Sequence, residues 1–204
     1  MNHLMNKVRE IYDQFDASHD FQHIERVYQN ALAILHSEPT ADEEVVKIAV
    51  LLHDVSDKKY TDSKEKEEQL IAELPVSEGK KQHIRDCIAQ VSFNGGNELE
   101  ATSLEAKIVR DADRLDAIGA IGIARTFAYG GAKGRKLYDK EEEARTNMSE
   151  SEYRQNNTAS VTHFYEKLLL LKDLMVTEKG KQMALERHQF MESFLKQLQH
   201  EIGQ

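Results

Sequence analysis

Three places in this chain group residue types that could hold an ion and act on a substrate. They are His23 with Arg26, the pair His53-Asp54 with Asp57-Lys58-Lys59 close behind, and the run Arg110-Asp111-Ala112-Asp113-Arg114-Leu115-Asp116. Imidazole nitrogens and carboxylate oxygens are ligands for divalent cations, and a carboxylate outside such a set can move protons. The pair is the sharpest signal. It follows Ile48-Ala49-Val50-Leu51-Leu52, so an apolar helix ends in two polar groups. A carboxylate buried there is costly unless its pKa shifts or a cation, with the histidine beside it, supplies a partner. A polar helix end facing water is the competing reading, and His19-Asp20 is a second such pair in a polar stretch that reads as a loop. His23 alone reads as an ordinary histidine at the rim of a helix. Asp113 and Asp116 are three apart and share a helix face, where like charges repel unless a cation or an arginine stands between them.

The elements that must position these groups read as helices throughout. In 204 residues there are 2 Pro, 10 Gly and no Trp, and no stretch shows the period-2 alternation of a half-buried strand. The expected fold is all-α, a single-domain helical bundle over 1–204 with about eight to ten helices of ordinary length. Cys87, the single cysteine, lies in a helical pattern, which excludes an internal disulfide framework and reads as a small core residue in a reducing compartment. Without an apolar run near 18 residues or a signal peptide, the expected location is cytoplasmic, with no membrane partner. A net charge of −9 argues against binding a nucleic acid polymer or an anionic membrane. A phosphorylated ligand would need local cations or a metal.

In chain order, Leu4, Val8, Ile11, Tyr12 and Phe15 mark a first amphipathic helix with a structural role. Ser18 or Asp20 caps a second, whose apolar face is Phe21, Ile24, Val27, Tyr28, Ala31 and Leu35. Thr40-Ala41-Asp42-Glu43 has capping-box form and opens a third, apolar nearly all round from Val45 to Leu52 and therefore central. Residues 63–74 predict a charged surface helix stopped by Pro75, and 77–91 another with Ile84, Ile88 and Val91 inward. Thr102 and Glu105 predict a capping box for one long helix that runs to about Gly130-Gly131, with Ala117, Gly119, Ala120 and Gly122 admitting a close neighbour. Residues 132–157 are polar and read either as a solvated excursion or as a lid whose Lys133, Arg135 and Lys136 meet an anionic substrate. The C-terminal helices, 158–202, comprise a core helix at Phe164, Leu168, Leu169 and Leu171 and a last helix from Thr177 with Met183, Ala184, Phe190, Met191, Phe194, Leu195 and Leu198 inward.

His23 with Arg26, then Leu51-Leu52-His53-Asp54, then Ala112-Asp113-Arg114-Leu115, in this order and on helices, resemble the HD superfamily of metal-dependent phosphohydrolases, in particular its small stand-alone bacterial members. The match covers roughly 20–130. The resemblance implies that His23, His53, Asp54 and Asp113 hold one divalent cation, Mn²⁺ in preference to Fe²⁺, Co²⁺, Ni²⁺ or Mg²⁺. It implies an acid four positions after the histidine of the pair, here Asp57, as general acid/base, and Arg26 and Lys58 join it as catalytic candidates that would clamp phosphate. Lys59, Arg110, Arg114 and Arg125 are candidate phosphate clamps. Asp116 is a further candidate at the substrate, and either Arg114 or Asp116 is the fallback for holding the attacking water. Between the pair and the last aspartate only His83 could add a ligand, too few for a second ion. The expected substrate is a small phosphate ester, in the first place a nucleotide, and the expected activity is either that of a pyrophosphohydrolase, which cleaves a nucleoside triphosphate to monophosphate and pyrophosphate, or that of a nucleotidase. The alternative is a non-catalytic metal- or nucleotide-binding module that reports to a partner. A homodimer is compatible with either.

Overall fold

The structure, a computed structural model, describes residues 1–15, 20–57, 61, 63–91, 99–145 and 158–203. Among these residues there are nine α-helices, one 3-10 helix and no strand, so the all-α expectation holds. None of the helices is long and apolar enough to cross a membrane. The described residues form two compact units, one carrying the chain up to Asp113 and the other the chain from Arg114 onward, and the division falls inside a helix.

The first unit holds α1 (Asn2–Tyr12), α2 (Phe21–Leu35), α3 (Glu43–Leu52), α4 (Glu65–Ala72), α5 (Glu78–Ala89) and α6 (Leu104–Asp116) as far as Asp113. α3 is its centre, packed against α1, α2 and α5. Val45, Val46, Ile48, Ala49, Val50, Leu51 and Leu52 are all buried, and the one polar side chain among them, Lys47, turns back to Glu43. Each Val, Leu or Ile so buried contributes about 1.5–3 kcal/mol relative to exposure, which makes the end of α3 a firm support. The capping box expected at Thr40 and Glu43 is not what starts the helix: the cap is Asp42, two residues later, which accepts from the amides of Glu44 and Val45 at 3.1 and 3.2 Å. Asp20 does the same for α2 through the amide of His23, at 3.2 Å. Ser18, the other candidate cap, and His19 lie outside the described residues.

The supposed capping box at α6 is not formed. Ser103 Oγ accepts from the Ala106 amide at 3.1 Å, while Glu105 accepts instead from the Asp42 amide at 2.8 Å and is buried in that role. α4 is less of a surface helix than its charge suggested, since Glu67, Leu70 and Ile71 are buried. Burial raises the Glu67 carboxyl above its ordinary pKa, although Lys64 pulls the other way.

The second unit holds α7 (Gly119–Ala132), α8 (Ser160–Glu166), a 3-10 helix (Leu168–Leu174) and α9 (Glu178–Glu201). Phe127 of α7, Phe164 of α8 and Phe194 of α9 meet with ring centroids 5.9–6.1 Å apart. The long helix expected from 102 to 130 is broken into α6 and α7. Ile118 is extended, at φ −125° and ψ 170°, and Gly119 takes φ +75°, a left-handed conformation that glycine adopts cheaply. The close neighbour expected of the small residues is Arg187, whose Cβ would lie 3.0 Å from a Cβ at position 119. The core helix expected over 164–171 is likewise two elements, because Lys167 leaves helical geometry at φ −140° and ψ −59°. On α9 the buried stripe is Gly180, Ala184, His188, Met191 and Leu195, and Phe190, expected inward, is 53% exposed because it falls off that stripe. Of the expected lid, 146–157 lie outside the described residues. In the described part Lys136 pairs with Asp139 at 2.6 Å, and the Arg135 guanidinium stands 5.3 Å from the centroid of the Tyr129 ring.

Candidate metal centre

Three helices of the first unit bring four side chains together. Asp20 fixes the start of α2, which places His23 in its first turn and turns it inward, 1% exposed. The packed end of α3 delivers His53 and Asp54 in the turn that follows Leu52. Asp113 comes from α6, whose register against α2 is held by buried Asn30, its Nδ2 donating to the Ala112 carbonyl at 3.0 Å.

His23 Nε2 lies 3.4 Å from Asp54 Oδ2 and 3.5 Å from Asp113 Oδ1. His53 Nε2 lies 3.6 Å from each of the same two atoms. The imidazole rings are 5.6 Å apart between centroids and tilted by 60°. Separations of 3.6 Å are too long for hydrogen bonds. They suit another arrangement, because atoms bound about 2.0–2.2 Å from one ion at right-angle to tetrahedral spacing lie about 2.8–3.6 Å from one another. His23, His53 and Asp54 each offer a ligand atom within 4.8 Å of the other two, and Asp113 Oδ1 completes two nitrogens and two oxygens. The donor set therefore fits a divalent ion of intermediate softness.

The surroundings prepare these atoms. His53 Nδ1 is 2.8 Å from the Val50 carbonyl, so the proton of a neutral ring belongs on Nδ1 and the Nε2 lone pair faces the centre. Burial opposes a charged imidazole, yet the charges of Asp54 and Asp113 outweigh it and raise His53 to a pKa of about 10. Burial likewise pushes the Asp113 carboxyl up, and the nearby His53 and then His23 more than compensate, leaving it below the ordinary carboxylate range. The carboxylates thus favour positive charge at the imidazole, and the imidazoles favour the ionised form of Asp113. Tyr12, at the end of α1, closes the corner: its hydroxyl donates to the Leu51 carbonyl at 3.1 Å and accepts from the Asp54 amide at 3.3 Å. Burial, and after it the charge of Asp54, holds the Tyr12 phenol well above its ordinary pKa, so it remains a donor.

Asp57 stands half-buried one turn beyond the pair, its amide donating to the Asp54 carbonyl at 3.1 Å. Arg26 is half-buried on α2, one turn after His23. Lys58 and Lys59 lie outside the described residues. The remaining expected clamps hold the protein itself. Arg110 Nε donates to the Gln90 carbonyl at 2.7 Å, and its guanidinium also reaches the Leu99 carbonyl. In the second unit Arg114 Nη1 donates to the Leu174 carbonyl at 2.6 Å, and Arg125 Nη1 meets Asp116 Oδ2 at 2.7 Å. These contacts are internal braces, and they give Asp116 a partner within its own unit. Two residues at the site escaped the sequence. Tyr12 was absorbed into an amphipathic face, whereas Asn30 left a usable signal, a polar side chain seven residues after His23 on the apolar side of α2.

The HD domain family model matches residues 20–118. Over 202 residues the chain is 37% identical to the Bacillus subtilis protein YpgQ, covering 96% of this chain and 90% of that one. A crystal structure of a Lactobacillus plantarum protein superposes with a TM-score of 0.87 at 32% identity, covering 99% of this chain and 96% of the other. A Bacillus thuringiensis HD-superfamily hydrolase gives 0.77 at 39% identity, with 99% and 96% covered. YpgQ in complex with ADP gives 0.78 at 33% identity, with 98% and 93% covered. On these likenesses, and with the two histidines and two aspartates brought to one point, the chain belongs to the HD superfamily of metal-dependent phosphohydrolases.

Proposed function

We propose that this protein hydrolyses a phosphate ester of a small nucleotide, with one divalent cation, Mn²⁺ by preference, held by His23, His53, Asp54 and Asp113. The observation that carries the reading is the set of four contacts at 3.4–3.6 Å between two imidazole nitrogens and two carboxylate oxygens. The nucleotide rests on the relative YpgQ, which has been crystallised with ADP. A divalent ion in such a set polarises a phosphoryl oxygen and makes a water acidic enough to attack phosphorus at neutral pH.

The chain's own groups do the rest. His53, its Nδ1 turned to the Val50 carbonyl, keeps Nε2 aimed at the centre. Asp57 aligns the attacking water or protonates the leaving oxygen, work that contributes about 10²–10⁴ in rate when a positioned carboxyl does it. Arg26, and Lys58 and Lys59 next to Asp57 in sequence, supply cations for phosphate oxygens in a protein whose net charge of −9 otherwise repels them. A screen of nucleoside mono-, di- and triphosphates with each candidate metal, reading pyrophosphate and orthophosphate separately, tests the reading. The product released, pyrophosphate or orthophosphate, identifies which phosphorus is attacked. Metal bound with no release from any nucleotide would sink hydrolysis and favour a binding module.

A further inference from the structure

The four proposed ligands come from α2, from the turn after α3 and from α6, and one buried hydroxyl from a fourth helix touches the turn that supplies two of them. Tyr12 is fully buried at the last position of α1 and packs edge-on to Phe15, with ring centroids 5.5 Å apart. Its hydroxyl donates to the Leu51 carbonyl at 3.1 Å and accepts from the Asp54 amide at 3.3 Å, so it bridges the last turn of α3 to the backbone of a ligand residue. The last carbonyls of a helix have no intrahelical partner, and the chain just beyond them is where a helix frays. In this protein that is where His53 and Asp54 sit.

We propose that Tyr12 is a positioning residue of the metal centre, its hydroxyl fixing the His53-Asp54 turn so that both side chains face His23 and Asp113 before any ion arrives. The inference rests on the metal-centre reading. Groups that orient ligands in this way are worth about 10–100-fold in metal affinity. The His53 ring is held from its own helix by Val50, at 2.8 Å. Asp54 has its backbone held from α1, which gives the first helix a role at the centre as well as in packing.

The test compares Mn²⁺ binding by metal-free wild type, Tyr12→Phe and His53→Ala, read from free Mn²⁺ in electron paramagnetic resonance titrations at a temperature where circular dichroism shows all three folded. Tyr12→Phe keeps the ring and loses only the hydroxyl. Its Kd should rise about 10–100-fold, and His53→Ala should bind no Mn²⁺. A merely structural role would lower the unfolding temperature of the metal-free protein and leave that Kd unchanged. A Kd within twofold of wild type, with His53→Ala inactive in binding, overturns the role of Tyr12 alone. Equal binding by wild type and His53→Ala overturns the centre itself and the inference with it. Should Tyr12→Phe not fold, amide exchange in metal-free wild type decides: slow exchange at Asp54 supports the clamp, and exchange as fast as in an open loop overturns it.

Discussion

Two buried helix ends carry aspartates in this protein, and their neighbours differ. After α3, Asp54 lies among imidazoles, 3.4 Å from His23 and 3.6 Å from His53. At the end of α6, Asp116 is 2% exposed and meets the Arg125 guanidinium at 2.7 Å. The second pair is complete as protein chemistry, a permanent cation on a carboxylate. At the first, histidines can offer either a proton or a lone pair, and two carboxylates compete for whatever cation is there. An aspartate at a packed helix end therefore does not have one fixed function. The chemistry of the partner decides whether the acid braces the fold or waits for an ion.

The largest expected effect separates the two ends directly. Replacing Asp54 or Asp113 by Ala should remove bound metal and bring phosphate release down to background, as seen by metal analysis after dialysis alongside the nucleotide assay. Metal content near wild type in both variants would erase the distinction. Next in size, Asp57→Asn should keep its metal and its substrate affinity while kcat falls about 10²–10⁴-fold, and excess Mn²⁺ should not restore it. Wild-type kcat in that variant would move the proton transfer elsewhere. At the other end, Asp116→Ala should retain metal and cost about 3–5 kcal/mol in urea unfolding, because it strands a partly buried guanidinium. A raised KM with unchanged stability would instead make Asp116 part of the substrate site. The smallest effect is an absence of reaction at Cys87, in the core of the first unit. Burial pushes its thiol up to about 12, so at pH 8 only about 10⁻⁴ of it is thiolate. A disulfide reagent should label it only after denaturation, and rapid labelling of the folded protein would mean that α5 opens.

The sequence by itself determined the helical class, the central place of α3, Asp20 as one of two candidate caps of α2, and the residue types at positions 23, 53, 54 and 113, whereas the cap of α3 is Asp42 and not the Thr40 of the expected capping box. Composition, apolar periodicity and end signals are local, and they report which face of each helix seeks the core. Only the tertiary structure brought Asp113 within 3.6 Å of both histidines, placed the Tyr12 hydroxyl on the Asp54 amide, and directed Arg110 and Arg114 to carbonyls. It also broke the helix at Ile118, where the chain leaves α6 against its own periodicity. The physical reason is range. An apolar stripe is written along a few turns of one helix, whereas a guanidinium, a phenol or an imidazole takes its role from whichever backbone group or carboxylate a distant part of the chain leaves within about 3–4 Å of it.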